Sequence, residues 1–245
     1  MDNLSNRVAL VTGASSGMGE RFAHVLNDAG ATVVLTARRA DRLAEVAQTL
    51  ENPLWLAGDI KSPEHRAALM ELVRERYGRL DILVNNAGIA DWGPLETQSL
   101  DQLVAVVDVN LVSVLDLCRL AAELLFAAER ASVINVASMY GVVGSLTPMP
   151  AYNATKGAIV NFTRHLAAQW GPRGVRVNAI CPGYFPTEMT GPIDGRFGDF
   201  VVRNTLLRRV PAISELDGPL LFLAGESSSY VTGHTLMVDG GWTAV

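Results

Sequence analysis

The sequence predicts an α/β fold, a single domain in which a doubly wound, seven-stranded parallel sheet carries helices on both faces. Short apolar runs alternate with longer helical stretches up to about residue 181. This alternation is typical of parallel sheets, because their strands are buried on both faces and crossover helices connect them. The chain has 245 residues, 49% of them hydrophobic and 18% charged, so it can bury one large core. We therefore expect residues 1–245 to form one domain without linkers or repeats.

The elements follow in order from this alternation. Strands are predicted at Val8–Val11, Thr32–Thr36, Leu54–Ala57, Ile82–Val84, Ser132–Val136, Arg176–Ile180 and Thr235–Val238. Helices are predicted at Gly17–Asp28, Arg42–Leu50, Glu64–Tyr77, Leu100–Ala128, Tyr152–Trp170 and Ser214–Ala224. The segment 183–209 breaks the rhythm, because it is long, rich in Gly and Pro, and too apolar for a solvated loop. Long loops in compact domains are often functional, so we expect a substrate lid there.

Charge and cysteine content narrow the class of function. The formal net charge of −5 and pI near 5.4 argue against nucleic acid or an anionic membrane as the main partner, so a small molecule is expected. Cys118 and Cys181 match no zinc or redox spacing and are predicted to be free, buried thiols, which suits the cytoplasm. Residues 1–7 contain no apolar signal core, and no run approaches a membrane span. The four histidines lack ligand spacing, so no metal site is predicted.

A glycine-rich turn, Thr12-Gly13-Ala14-Ser15-Ser16-Gly17-Met18-Gly19, follows the first strand and opens a helix. Glycines allow the backbone to approach a diphosphate, and the first turn of a helix offers free N–H groups and a positive dipole end. The spacing differs from the usual G-x-G-x-x-G, so the prediction depends on the strand before and the helix after. It indicates a Rossmann-type dinucleotide site with contacts at Gly13, Ser15, Ser16, Gly17, Met18 and Gly19.

The end of the second strand bears on the choice of cofactor. NAD is usually held by an acidic residue that bonds the ribose 2′-hydroxyl, but Ala37 stands at that place, followed by Arg38 and Arg39. Guanidinium groups bind a 2′-phosphate, so NADP(H) is predicted, with Arg38 preferred over Arg39. The alternative is that both arginines simply face solvent. After the third strand, Asp59 and Ile60 are predicted beside the adenine, although a plain loop aspartate fits Asp59 nearly as well.

Tyr152 and Lys156 form the strongest chemical signal. Residues four apart on a helix share one face, so one cleft can receive the phenol and the ammonium. A neighbouring cation favours the phenolate and lowers the pKa of a tyrosine, which makes the pair an acid–base device. Ser138 lies just upstream at the end of an apolar run. Taken alone, the Tyr-x-x-x-Lys spacing also occurs by chance.

With Asn85-Asn86-Ala87-Gly88 after the fourth strand, these motifs together resemble the short-chain dehydrogenase/reductase family from Arg7 to Trp242. The resemblance implies that Asn86, Ala87 and Gly88 line the cofactor cleft. It implies that Asn110 holds a water in a proton relay behind the lysine, the alternative being a helix-interior Asn that bonds its own backbone. It also implies that Pro182-Gly183-Tyr184-Phe185-Pro186-Thr187 lines the cofactor, with contacts at Pro182, Gly183, Phe185 and Thr187.

The resemblance further implies a role for each residue of the reacting group. Tyr152 would donate the proton in carbonyl reduction, Ser138 would bond the substrate oxygen, and Lys156 would bond the nicotinamide ribose and lower the pKa of Tyr152. Tyr152 and Lys156 would thereby also contact the cofactor. Two departures stand out: Ala137 replaces a second serine that many relatives have, and fourteen positions separate Ser138 from Tyr152 where thirteen is also common.

The expected activity is NADP(H)-dependent reduction of a hydrophobic ketone or β-keto compound, reversible as a dehydrogenase. The predicted substrate contacts are Trp92, Ser138, Tyr140, Tyr184 and Met189, although such aromatics equally suit a core or a subunit contact. Alternatives are a sugar-acid or polyol dehydrogenase and a 3-oxoacyl thioester reductase, for which Arg130 and Arg173 are weak candidates for a carrier-binding patch. A non-catalytic nucleotide sensor is a further alternative, against which the intact Asn110, Ser138, Tyr152 and Lys156 speak. The resemblance implies a homodimer or homotetramer.

Overall fold

A computed structural model describes residues 3–245 and confirms the predicted sheet. The strands are β1 (Val8–Thr12), β2 (Thr32–Ala37), β3 (Leu54–Ala57), β4 (Ile82–Asn85), β5 (Ser132–Val136), β6 (Arg176–Pro182) and β7 (Thr235–Val238). All seven are parallel, in the order β3-β2-β1-β4-β5-β6-β7. Each observed strand lies within two residues of its predicted bounds.

Helices cover both faces of the sheet. They are α1 (Gly17–Asp28), α2 (Ala40–Gln48), α3 (Pro63–Tyr77), α4 (Leu100–Val107), α5 (Ser113–Phe126), α6 (Pro150–Trp170), α7 (Gly195–Asn204) and α8 (Asp217–Ala224). Alternate strand residues enter two separate cores: Leu10 and Val133 pack with α3, α5 and α6, whereas Val11 and Ile134 pack with α1, α2 and α8. Within residues 3–245, none of these helices has the length and hydropathy needed to cross a membrane.

The chain reverses its winding direction between β1 and β4, which opens a crevice at the carboxyl ends of these strands. Thr12 fixes the floor of this crevice. Its hydroxyl accepts hydrogen bonds from the backbone N–H groups of Asn86 and Ala87, each at 3.0 Å, and its carbonyl accepts from Asn86 Nδ2 at 2.9 Å. The Asn-Asn-Ala-Gly segment therefore joins the two strands at the point where a ligand is expected to bind.

The long helix predicted over Leu100–Ala128 is interrupted. A π-turn at Asp108–Val112 separates α4 from α5, and the Ser113 N–H reaches the carbonyl of Asp108 rather than that of Val109. The Ser113 hydroxyl bonds the Val109 carbonyl at 2.6 Å and satisfies it instead. The hydrophobic periodicity of a π-turn, which has one extra residue, hardly differs from that of a regular α-helical turn. The sequence pattern therefore could not reveal the interruption.

The segment predicted as a lid contains a helix that the sequence analysis missed. Helix α7 packs Phe197, Phe200 and Val201 against a cluster that includes Tyr184 and Trp242. Tyr184 meets Phe197 edge to face with ring centroids 5.1 Å apart, and Trp242 meets Phe200 at 5.4 Å. The three packed positions have helical spacing, but the helix is only ten residues long and the glycines and prolines around it dominate the composition.

Helix α6 is capped from a distant loop. It begins at Pro150, and the residue before it, Met149, has no side-chain cap. Asp91 is buried and accepts hydrogen bonds from Ala151 N at 3.0 Å and Tyr152 N at 2.8 Å. A carboxylate at a helix N-terminus satisfies free N–H groups and complements the dipole. Asp91 thus fixes the start of the helix that carries Tyr152 and Lys156.

We expect Asp91→Ala to lower the free energy of unfolding by about 1–2 kcal/mol, the loss usual for removal of a helix cap. Asp91→Asn should lose less, because its remaining carbonyl oxygen still accepts one of the two bonds. Glu123→Ala removes an exposed carboxylate from α5 and serves as the control. Urea denaturation of the three variants measures the difference; equal stability of Asp91→Ala and Glu123→Ala would contradict the capping role.

Candidate active site

A cavity of 560 Å³ lies in the crevice between β1 and β4 and extends from the start of α1 to the lid. Its volume suits a dinucleotide with part of a substrate. It brings together, in one lining, almost all of the residues singled out from the sequence. These are Gly13, Ser15, Ser16, Gly17, Met18, Gly19, Arg38, Arg39, Asp59, Ile60, Asn86, Ala87, Gly88, Trp92, Ser138, Tyr140, Tyr152, Lys156, Pro182, Gly183, Tyr184, Thr187 and Met189. Asn110 and Phe185 lie outside this lining.

The glycine-rich turn forms a cradle that fits a diphosphate. Gly13 and Gly17 adopt φ values of 68° and 57°, a region that favours glycine. A methyl group on Gly13 would lie 2.9 Å from the Cα of Ala87, so the turn also needs glycine to pack against β4. Ser16 precedes α1 in extended conformation and places no side-chain cap on it. The first N–H groups of α1 therefore stay available to an anion in the cavity.

The cationic group at the ribose end is Arg39. Its guanidinium donates to Ser16 Oγ at 2.6 Å and to Ser15 Oγ at 3.3 Å, and it pairs with Glu188 of the lid at 2.9 Å. Arg38 is exposed and lines the same cavity. The sequence analysis preferred Arg38, whereas the structure places Arg39 beside the glycine-rich turn. The hydrogen bond from Arg39, with a further one from Ser16, lowers the pKa of the Glu188 carboxyl, so Glu188 is ionised at neutral pH.

Tyr152, Ser138 and Lys156 meet at the opposite end of the cavity. The Lys156 Nζ lies 5.5 Å from the centroid of the Tyr152 ring, one helical turn away on α6, and donates to the Val136 carbonyl at 2.7 Å. Ser138 follows β5 and interacts with the Tyr152 phenol, which lowers the pKa of that phenol. Gly141 allows this approach, since a methyl group there would lie 2.6 Å from the Lys156 carbonyl oxygen. The acid–base trio thus forms from two elements that pack without a side chain between them.

The expected lowering of the Tyr152 pKa by Lys156 is wrong for this geometry. Burial raises the pKa of Tyr152 and outweighs the lowering by Ser138, with further increases from the nearby Cys181 and Tyr140. Burial also lowers the pKa of Lys156 to about 8, because the residue is only 5% exposed. The Nζ points to a backbone carbonyl rather than to the phenol oxygen, so desolvation dominates both groups. At neutral pH the phenol is protonated and can donate.

Asn110 supports the site from behind. Its Nδ2 donates to the Ile89 carbonyl at 2.8 Å and to Thr155 Oγ1 at 3.3 Å, and its Oδ1 accepts from Ile89 N at 2.9 Å. Thr155 in turn donates to the Tyr152 carbonyl at 2.9 Å. The side chain therefore bonds a distant loop and α6 rather than its own helix backbone. The relay role expected for Asn110 stays a prediction.

The predicted contact of Phe185 with the cofactor stays a prediction, but the side chain of Phe185 does not line the cavity. Phe185 is 2% exposed and packs in the core with Val136, Ile180 and Leu216. Tyr184 and Thr187 line the cavity instead. Successive residues of an extended segment point to opposite sides, so a side chain next to Tyr184 turns away from the cleft.

The substrate end is mostly apolar and partly open. Met139, Tyr140, Met149 and Tyr184 are buried and form one cluster beneath α7. Trp92 and Met189 line the cavity as well but remain more than two-fifths exposed, so they form its rim. Within the described residues, no group of three potential metal-ligating side chains is present.

Three contributors to the site were missed in the sequence. Asp91 caps α6, Glu188 pairs with Arg39, and Thr147 bonds the Tyr184 hydroxyl at 3.1 Å. A signal existed only for Asp91, because an α-helix that begins with Pro150 and lacks a capping residue needs an acceptor from elsewhere. The other two contacts join segments far apart in the chain and have no local pattern.

Comparisons with known proteins agree with this geometry. The family model described as enoyl-(acyl carrier protein) reductase matches residues 13–243. The chain is 34% identical to cis-4-hydroxycyclohexanecarboxylate dehydrogenase of Sinomonas cyclohexanicum and 32% identical to a 3-oxoacyl-[acyl-carrier-protein] reductase of Vibrio harveyi, covering 98% of each protein and 98% of this chain. The crystal structure of a gluconate 5-dehydrogenase from Burkholderia cenocepacia J2315, in complex with NADP and tartrate, superimposes with a TM-score of 0.92 at 32% identity. That match covers 99% of this chain and 97% of the other.

Three findings lead to one assignment. They are a family model over almost the whole chain, relatives above 30% identity along their full length, and a cleft that unites the predicted motifs. This chain belongs to the short-chain dehydrogenase/reductase family of oxidoreductases.

Proposed function

We propose that this protein is an NADP(H)-dependent carbonyl reductase that acts on a hydrophobic ketone or β-keto compound and oxidises the corresponding secondary alcohol in reverse. The observation that carries the proposal is the arrangement of one continuous cavity. The free end of α1 and Arg39 lie at one end, and Ser138, Tyr152 and Lys156 lie at the other. A dinucleotide along this cavity would have its phosphates at the helix and its nicotinamide near the phenol.

The residues of the trio suit the proton side of carbonyl reduction. The bound nicotinamide supplies or accepts the hydride. As negative charge grows on the substrate oxygen, the protonated phenol of Tyr152 donates to it, and the hydroxyl of Ser138 stabilises it as a second donor. Lys156 would bond the nicotinamide ribose. Thr187, Pro182 and Gly183 would hold the nicotinamide end.

The charges in the cleft favour a neutral substrate. Among the described residues that line the cavity, the basic side chains are Arg38, Arg39 and Lys156. The two arginines lie at the ribose end, and Lys156 is buried behind Tyr152. A substrate carboxylate beside Met139 and Met149 would therefore lack a cation, and an unpaired charge is costly in an apolar pocket. This argues against a sugar acid as the substrate, although relatives include a gluconate 5-dehydrogenase.

The thioester alternative is not supported by its two candidate arginines. Arg130 precedes β5 and Arg173 precedes β6, so both lie at the amino ends of the strands, opposite to the cleft. Arg130 pairs with Glu226 at 2.6 Å, and Arg173 stacks on Phe126 at 3.8 Å. A carrier protein that delivers a thioester to Tyr152 would have to bind elsewhere. A non-catalytic sensor is disfavoured because it would have no need for a buried lysine beside a protonated phenol.

We also propose a cytoplasmic homodimer or homotetramer. Leu100 and Val104 on α4, Val112 in the π-turn and Leu115 on α5 are exposed apolar side chains. Exposed apolar side chains along one helical segment are compatible with a subunit contact. Cys118 and Cys181 are free and buried, which fits a reducing compartment.

We expect neutral hydrophobic ketones and β-keto esters to be reduced with kcat/KM at least about tenfold above that of keto-sugar acids, because an unpaired carboxylate raises the free energy of the bound state. The decrease in NADPH absorbance measures turnover across a panel that also includes acyl thioesters. A higher kcat/KM for keto-sugar acids would contradict the proposal and favour the sugar-acid dehydrogenase alternative.

Tyr152→Phe should lower kcat by about 10²–10⁴-fold, because the proton donor is lost while the ring and its packing remain. The Kd for NADPH, measured by fluorescence titration, should stay within about twofold. Tyr230→Phe removes a hydroxyl from a fully exposed tyrosine and is the matched control. A Tyr152→Phe enzyme with near-normal turnover would refute the donor role.

Arg39→Ala should weaken NADPH binding by about tenfold and NADH binding much less, since only NADPH carries the 2′-phosphate that a guanidinium would bond. Arg38→Ala tests the neighbouring arginine, and Arg74→Ala on α3 controls for loss of an exposed positive charge. Glu188→Gln removes the carboxylate that pairs with Arg39 and should leave NADPH binding unchanged or tighter. If the wild type binds both cofactors equally, the preference for NADP(H) is wrong.

A further inference from the structure

The substrate end of the cavity contains a row of three hydroxyl groups beyond the acid–base trio. The Tyr140 hydroxyl lies 2.9 Å from that of Tyr184, which lies 3.1 Å from Thr147 Oγ1. Tyr140 and Tyr184 are buried and line the cavity, whereas Thr147 is half-buried and lies outside the lining. One end of the row therefore faces the ligand and the other faces away from it.

The three hydroxyl groups carry one hydrogen more than the two hydrogen bonds between them use. Three hydroxyls have three hydrogens, but the row has two links. If the bonds run from Thr147 to Tyr184 to Tyr140, the spare hydrogen is at Tyr140 and points toward the cavity. If they run the other way, it is at Thr147, and Tyr140 presents a lone pair to the cavity instead. The Tyr140 end can thus meet either an acceptor or a donor.

Tyr140 lies close to the place where the carbonyl reacts. Its backbone N–H donates to Ser138 Oγ at 3.2 Å within one 3₁₀ turn, Met139–Gly141. Its phenol is near enough to that of Tyr152 to contribute to the raised Tyr152 pKa. The surrounding side chains of Met139 and Met149 offer no hydrogen-bond donor to compete with it. A polar ligand atom next to the reacting carbonyl would therefore find Tyr140 as its partner.

Resting on the proposed ketone reduction, we propose that Tyr140 hydrogen-bonds a second, uncharged oxygen of the substrate. The preferred substrates are then ketones with a carbonyl, ester or hydroxyl oxygen a few bonds from the reacting carbon. Because the row reverses direction, it bonds an ester carbonyl as a donor and a hydroxyl as an acceptor. A purely hydrocarbon ketone makes no hydrogen bond to Tyr140, so it lacks this contribution to binding.

The test compares two ketones of equal chain length, ethyl 3-oxobutanoate and 2-heptanone, which differ in the ester oxygens. The measured quantity is the ratio of their kcat/KM values with NADPH, which cancels general effects of a substitution on turnover. Tyr140→Phe should lower the ester-to-ketone ratio about tenfold, as expected for loss of one buried hydrogen bond. Tyr184→Phe should lower it less, because Tyr140 keeps its own hydroxyl. Tyr230→Phe, at a fully exposed position, should leave the ratio unchanged.

Each outcome separates this inference from the proposed function. An unchanged ratio in Tyr140→Phe, with native circular dichroism and thermal unfolding, overturns the role of Tyr140 while ketone reduction stands. If Tyr140→Phe does not fold, Tyr140→Met decides instead, because it also removes the hydroxyl: a fall in the ratio supports the inference and an unchanged ratio overturns it. If the wild type reduces neither ketone, the proposed function fails and this inference falls with it.

Discussion

The site depends on a lysine ammonium that is held inside the protein at the end of β5. Removing an ammonium from water costs several kcal/mol. The Lys156 Nζ donates a hydrogen bond to the Val136 carbonyl, which offsets part of this cost. Burial lowers the pKa of Lys156 to about 8, so its charge is retained at neutral pH with little margin. The ammonium of Lys156 stays buried only if no rotamer of the side chain lets it reach solvent. This requires α6 and β5 to be fixed relative to each other.

Several contacts supply this rigidity, and each joins segments far apart in the chain. Asp91 holds the first turn of α6, and Asn110 bonds both Ile89 and Thr155. Gly141 lets the backbone of α6 approach, because a methyl group there would lie 2.6 Å from the Lys156 carbonyl oxygen. The loop after β4 is therefore bound to α6 at two points. A catalytic group on a helix held in this way loses little precision to loop motion.

The parts of this structure that the sequence predicted are those with local physical causes. Buried strands read as apolar runs, and the glycine-rich turn before α1 depends on backbone freedom at Gly13 and Gly17. Tyr152 and Lys156 could be paired because helical spacing alone puts them on one face. The pairing of Glu188 with Arg39 could not be seen, since it arises from tertiary packing between distant segments. The uncapped start of α6 at Pro150 indicated that an acceptor was needed, but not that Asp91 supplies it. The direction of the Tyr152 pKa was missed for the same reason: burial, which the sequence does not specify, outweighs a charge four residues away.

The two ends of the cavity therefore recognise ligands by different physics. At the ribose end, Arg39 and Glu188 are an exposed pair, and such pairs contribute about 0–1 kcal/mol, so an incoming phosphate can replace the carboxylate at little cost. At the substrate end, Tyr152 packs against an apolar cluster that includes Tyr184 and Phe197. A hydroxyl donor in this low-dielectric environment stabilises a developing oxyanion more strongly than it would in water. A solvent-exposed ion pair can thus admit the cofactor phosphate, whereas the proposed chemistry takes place beside buried apolar and aromatic side chains.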